Sequence, residues 1–147
     1  MENGLKDELT ERLMRYTAID SQSDELSNKS PSTDQQLDML NLLKVELLAL
    51  GVEDVKLTDY GVVLATVPGN ISAPAVGFLA HVDTAPQFNA SGVKPRLIKG
   101  YNGGDVTFPD DSELTLSPNE FEYLKDKKGD DITVSYTHLT LPTKRIV

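Results

Sequence analysis

His81 and Asp83 are the residues whose types and spacing most clearly suit chemistry. They stand two positions apart, directly after the apolar run Ala75-Val76-Gly77-Phe78-Leu79-Ala80. In extended backbone successive side chains alternate between faces, so His81 and Asp83 point the same way while Val82 points to the other side. A neutral imidazole binds zinc through one ring nitrogen, and a neighbouring carboxylate orients the ring, offsets the metal's charge and raises ligand basicity. Taken by itself a His-x-Asp also serves as a structural hydrogen bond or as exposed loop polarity, and its spacing supplies no further ligand.

Other chemistries are less well supported. Asp105, Asp110, Asp111 and Glu113 cluster after a glycine-rich stretch, which raises paired-carboxylate hydrolysis, but nothing fixes their separation and a solvated acidic loop explains them. Asp130 and Asp131 beside Lys127 and Lys128 read the same way. Gly103-Gly104 is followed by Asp105 rather than by a lysine and a hydroxyl residue, so no phosphate-binding loop is present. The chain has no cysteine, which removes thiolate nucleophiles, disulfide scaffolds and zinc ribbons together.

The elements around the pair follow from hydrophobic periodicity. Leu5, Leu9 and Leu13 predict an amphipathic helix over residues 4–18, ending near Asp20. Residues 21–30 are rich in Ser, Asn and Asp and form a loop, either a plain connection or one with a role at the site. A second helix follows, capped by Ser32 or Thr33, lined by Leu37, Leu40, Leu43, Leu47 and Leu50, and stopped by Gly51. Val52–Leu57 and Val62–Val67 then read as a hairpin turned at Asp59-Tyr60-Gly61. The run 75–80 is apolar at nearly every position, which predicts a strand covered on both faces at the centre of a sheet. Beyond it, Val93–Ile98 is strand-like, and Ser117-Pro118-Asn119-Glu120 predicts a short helix from Ser117 to about Leu124. Together these give an α/β layer architecture with its candidate site where the central strand emerges.

Composition limits the partners. The 147 residues carry 14 Lys plus Arg against 23 Asp plus Glu, a net charge of −9, and such a chain repels phosphate backbones and anionic lipid. Nucleic acid and membrane are therefore excluded as expected partners. The acidic, polar opening Met-Glu-Asn-Gly-Leu-Lys-Asp-Glu lacks the pattern of a secretory signal, which points to a soluble cytoplasmic chain.

In their order, these motifs resemble the peptidase T family, the tripeptide aminopeptidase branch of the dinuclear zinc M20 peptidases. The resemblance rests on Leu13-Met14-Arg15-Tyr16-Thr17-Ala18-Ile19-Asp20 with Gln22-Ser23-Asp24, Pro31-Ser32-Thr33, Leu50-Gly51-Val52-Glu53-Asp54-Val55, and Gly77 to Pro86 around His81. It continues through Val93-Lys94-Pro95, Tyr101-Asn102-Gly103-Gly104-Asp105 and Leu116-Ser117-Pro118, so that it runs from about Leu5 to Val134. The resemblance implies cytoplasmic release of the N-terminal residue from a small peptide, a tripeptide, by water held between two zinc ions. It makes His81 a zinc ligand and Asp83 the catalytic carboxylate beside it. Zinc in such a site lowers the pKa of bound water towards about 7 and polarises the peptide carbonyl, with a glutamate as the usual base.

The same resemblance requires a bridging aspartate, an adjacent glutamate pair, a further acidic ligand and a distant histidine. This sequence contains no Glu-Glu and no Gly-Ala-Asp-Asp. The likeness stops after Val134, and residues 135–147, including His138, read as a non-homologous tail whose histidine nothing positions. The expected organisation is thus the N-terminal portion of an M20-type catalytic domain over residues 1–134, incomplete and inactive by itself. The competing expectation is a non-catalytic peptide- or partner-binding module on a zinc-peptidase half-fold, with its oligomeric state open.

Overall fold

A computed structural model describes residues 2–87, 89–109 and 111–135. The chain divides into two compact units, one of Ile19–Ser91 and the other of Met1–Ala18 together with Gly92–Val147. Helices and strands are mixed, as the periodicity requires. No helix among the described residues is long and apolar enough to cross a membrane.

In the unit 19–91, helix α2 spans Gln36–Ala49 and hairpin strands β1 and β2 span Asp54–Leu57 and Val63–Thr66. The helix buries Met39 and Leu40 and leaves Leu50 exposed. Its C-terminus is closed by Gly51 at φ 87°, with the Gly51 N–H donating to Leu48 O and the Val52 N–H to Leu47 O. These paired bonds satisfy carbonyls that the last turn would otherwise leave open, and they need a left-handed residue that glycine supplies without strain. The N-terminus departs from expectation. Gln35 occupies the capping position without a side-chain cap bond. Ser32 Oγ instead accepts from the Asp24 N–H and from Gln36 Nε2, and Thr33 Oγ1 donates to Gln22 O. Thr33 is thus turned to the preceding loop, and Ser32 links that loop to the Gln36 side chain without capping a helix N–H.

β1 and β2 pair antiparallel, with Val55 opposite Ala65 and Leu57 opposite Val63. The turn between them closes through the Thr58 N–H to Val62 O and the Gly61 N–H to Thr58 O. Gly61 has φ 72°, and a Cβ there would lie 2.9 Å from Cβ of Pro31. Conformation and close approach both require glycine at this position.

The expected central strand is corrected by the structure. Residues 75–80 lie outside every named strand, and Val76, Phe78 and Leu79 are 79%, 96% and 100% exposed. A continuous apolar run encodes burial on both faces, which is realised only when other strands flank it. No described residue does so.

The second unit holds helix α1, Glu2–Thr17, and strands β3 (Arg96–Ile98), β4 (Val106–Phe108), β5 (Asp111–Leu116) and β6 (Ile132–Val134). β3 pairs antiparallel with β6 and β4 with β5, the latter with a register shift at Thr107/Phe108. Tyr101, Val106, Phe108, Leu116, Leu124 and Val134 form its core. Tyr101 is the fulcrum. Its N–H donates to Asp130 O, its carbonyl accepts from the Gly129 N–H, both at 2.7 Å, and its hydroxyl donates to Gly104 O.

Helix α1 matches its expected span, but its leucine face is open, with Leu5 60%, Leu9 58% and Leu13 47% exposed. Ion pairs Glu8–Arg12 and Glu11–Arg15, each one turn apart with the acid first, support it locally. The expected Ser117–Leu124 helix is a turn followed by a 3₁₀ segment at Glu122–Lys127. The N–H groups of Glu120 and Phe121 both go to Ser117 O, and Phe121 at φ −117°, ψ 81° breaks the continuation.

Candidate functional site

A stretch outside every named strand brings the side chains of His81 and Asp83 together. His81 Nδ1 lies 3.0 Å from Asp83 Oδ1, with the imidazole 85% and the carboxylate 39% exposed. With Nδ1–H donating to the carboxylate, the ring is held in one tautomer and its Nε2 lone pair faces outward. The His81 hydrogen bond holds the Asp83 carboxyl below the ordinary aspartate range, helped by the Ser23 hydroxyl and against a smaller opposing effect of partial burial.

A strap from the first loop fixes the backbone just past the pair. Gln22 and Thr84 form a parallel bridge. In it the Thr84 N–H donates to Ser21 O at 3.1 Å and the Ser23 N–H to Thr84 O at 3.0 Å. Ser23 Oγ adds a bond to Thr84 O at 3.1 Å, and Gln22 Nε2 one to Ala85 O at 3.0 Å. The strap is itself anchored. Asp20 Oδ1 accepts from the Gln22 N–H and from Gln35 Nε2, Thr33 Oγ1 bonds Gln22 O at 2.7 Å, and Ser21 is buried. Of the two readings of the 21–30 loop, the structure favours a role at the site for residues 21–23. Sequence reasoning does not single out Gln22 and Ser23 as site residues; the signal it offers is a polar run at Asp20–Ser23 too short of apolar residues to pack by itself.

The remaining candidates do not converge. Asp105 accepts a hydrogen bond from Ser117 Oγ at 2.7 Å. The side chains of Asp110, Asp111 and Glu113 lie outside the described residues, as does His138. Asp130 pairs with Lys127 and Asp131 with Lys6. A depression of about 450 Å³ lies in the other unit, lined by Leu116, Tyr123, Leu124 and Ile132 among others. It contains neither His81 nor Asp83, and its apolar walls are largely those of that unit's core.

A zinc ion needs three or four protein donors. Among the described residues no group of three or more His, Cys, Asp or Glu side chains converges on one point. His81 and Asp83 supply an imidazole and a carboxylate, and the residues described do not complete the site.

No family model matches the chain. Curated proteins do. It is 44% identical over 127 residues to peptidase T of Geobacillus thermodenitrificans, a match covering 85% of this chain and 31% of that protein. Identity is 45% to peptidase T of Geobacillus kaustophilus and 41% to that of Bacillus subtilis, with the same coverage of 85% and 31%. The chain therefore spans about a third of the length of the curated relatives it matches. A match over 85% of the chain necessarily includes the apolar run 75–80 and the His81–Asp83 pair. The resemblance read from the ordered motifs is thereby borne out: over most of its length this chain is similar to peptidase T.

Proposed function

We propose that these residues form part of a hydrolase of the metallo-aminopeptidase class, acting in the cytoplasm on tripeptides, and that His81 and Asp83 are its first metal-site residues in chain order. The observation carrying this reading is the 3.0 Å contact between His81 Nδ1 and Asp83 Oδ1, with the ring exposed, inside the stretch similar to peptidase T. Asp83 fixes the ring, and His81 presents Nε2 to solvent. In the complete site zinc would activate water and polarise the scissile carbonyl. Of this chain's residues, His81 would act as one ligand, Asp83 as the carboxylate that orients it, and the 21–23 strap as the support that keeps both on one side.

In this reading residues 1–134 correspond to the N-terminal portion of an M20-type catalytic domain and 135–147 to an unrelated tail. The 147 residues by themselves then hydrolyse nothing, because one imidazole and one carboxylate hold zinc weakly. The test is direct. The chain is titrated with Zn²⁺ while the ¹⁵N signals of the His81 ring are followed by NMR, and tripeptide cleavage is assayed in parallel. The expected result is a shift at Nε2 with an affinity no better than that of a single exposed histidine, and no release of the N-terminal residue above buffer. Tight binding, or turnover at an enzyme-like rate, overturns it. Reading the coding DNA across codons 130 to 147 tests the tail: a frame that continues the peptidase T similarity past Val134 removes that assignment.

A further inference from the structure

Asparagine is a chemically labile side chain, and it is followed by glycine twice in the chain, at Asn3-Gly4 and at Asn102-Gly103. The first pair lies in helix α1. The second stands in the connection between β3 and β4, where Asn102 is exposed. Asn102 Oδ1 accepts from the Gly104 N–H at 2.8 Å, the bond by which an asparagine folds its side chain back over the main chain two residues on. It brings the side-chain amide carbon, Cγ, back over the Gly103 peptide and draws electron density from that carbon. Among the described residues the Gly103 N–H has no hydrogen-bond partner, so the nitrogen nearest to Cγ along the chain is not engaged elsewhere. Glycine also brings no side chain to obstruct the approach.

Two other asparagines lack one of these conditions each. Asn89 Oδ1 makes the same kind of bond, to the Ser91 N–H at 2.9 Å, but Ala90 follows it. Asn41 has its amide tied to Leu37 O at 2.8 Å inside helix α2. We propose that Asn102 is a modification site, at which the Gly103 nitrogen converts the asparagine to aspartate and isoaspartate through a succinimide without an enzyme. Hydroxide removes the Gly103 N–H proton, the nitrogen bonds to Cγ, and Nδ2 leaves as ammonia with a proton taken from water. Water then opens the ring. Breaking the Cγ–N bond gives aspartate, and breaking the bond from nitrogen to the main-chain carbonyl gives isoaspartate. The balance is asparagine and water to acid and ammonia, with nothing oxidised or reduced. None of this depends on the peptidase T reading.

The two products differ in their effect on the fold. Aspartate keeps an acceptor for the Gly104 N–H, now charged. Isoaspartate routes the main chain through the side-chain carbon, which lengthens the path from Tyr101 to Gly104 and displaces the Gly104 oxygen that accepts from the Tyr101 hydroxyl. Tyr101 is buried in the core of its unit, so the change reaches that core.

The experiment ages the 147-residue chain in dilute neutral buffer and, in parallel, in urea at the same pH. Samples are digested in acid, each asparagine peptide is followed by mass spectrometry, and isoaspartate is counted with an isoaspartyl methyltransferase and a labelled methyl donor. Asn3 falls in a different peptide and is read separately. In the folded chain Asn102 is expected to be lost at least tenfold faster than Asn89 or Asn41, at a rate no more than tenfold below that in urea, with isoaspartate among the products. Ala90→Gly is expected to speed the loss of Asn89 at least tenfold. Asn102→Asp melts with the parent, whereas the separated isoaspartyl form melts lower. A smaller lead of Asn102 over Asn89 or Asn41, or a folded rate more than tenfold below that in urea, overturns the proposal. So does conversion to aspartate alone, which identifies direct hydrolysis by water, or an Ala90→Gly variant in which Asn89 is lost no faster.

Discussion

Replacing Ser23 by alanine tests whether the strap is what holds the backbone beside the His81–Asp83 pair. The substitution removes the Ser23 hydroxyl, whose single proton is shared between Thr84 O at 3.1 Å and the Asp83 carboxylate. The two backbone bonds of the bridge, Thr84 N–H to Ser21 O and Ser23 N–H to Thr84 O, remain. A neutral hydrogen bond contributes about 0.5–1.5 kcal/mol net. Because Thr84 O keeps its second donor and is not orphaned, the lower part of that range applies, about 0.5–1 kcal/mol. Local opening of the bridge then becomes about two- to fivefold more frequent. Hydrogen exchange of the Thr84 amide, followed by NMR where exchange reports the opening equilibrium, measures this directly. The Val52 amide, bonded to Leu47 O at the end of α2, serves as reference for the rest of the same unit. The expected outcome is faster exchange at Thr84 with Val52 unchanged, and recovery in Ser23→Thr, which restores a hydroxyl. Unaltered Thr84 exchange would refute the reasoning, and equal acceleration at Val52 would show a loss of general stability instead.

Two glycines separate conformational strain from crowding. Gly51→Ala meets open space at φ 87° and should cost about 1–2 kcal/mol from the left-handed backbone alone. Gly61→Ala should cost about 1–3 kcal/mol more, since its Cβ would also meet Pro31 at 2.9 Å; urea unfolding of both variants checks the order, and equal losses would exclude the Pro31 contact. For Asp131, the Gly100 N–H, then Lys6, hold the carboxyl below its ordinary range. A carboxyl depressed in the folded state stabilises above the unfolded value, about 3.9, and loses that contribution as pH falls through the folded one. Asp131→Asn should therefore be less stable than the parent at pH 6, with the gap closing below pH about 3.9; a gap that stays constant down to pH 2 would contradict this.

What the sequence discloses depends on how local its cause is. Helices α1 and α2 and the β1–β2 hairpin are legible because leucine spacing, Gly51 and the Asp59-Tyr60-Gly61 turn act within a few residues of themselves. The side-by-side placement of His81 and Asp83 is legible for the same reason, since a contact between residues two positions apart needs no distant partner. The capping role expected of Ser32 and Thr33 fails because two local sinks compete for their hydroxyls, and Asp24 and Gln22 prevail. Ser117 is a similar case, with its oxygens committed to Asp105 and to the next turn. The strap is invisible in the sequence because its contact joins Gln22 to Thr84 across the helix and hairpin between them. The run 75–80 shows the opposite limit: its composition states a requirement for flanking strands, and no described residue supplies them.

The way the two units are threaded has a consequence for biosynthesis. Residues Ile19–Ser91 form one uninterrupted unit, whereas the other is made from the chain on either side of it. Helix α1 is tied to its own unit by Lys6 and Asp131, 125 residues apart. As the polypeptide leaves the ribosome, all residues of the inserted unit are present once Ser91 has emerged, while Lys6 of the first helix must wait for a carboxylate synthesised some forty residues later. Chaperone contact during translation should accordingly fall on two places, the first seventeen residues and the exposed run 75–80 of the unit that follows them.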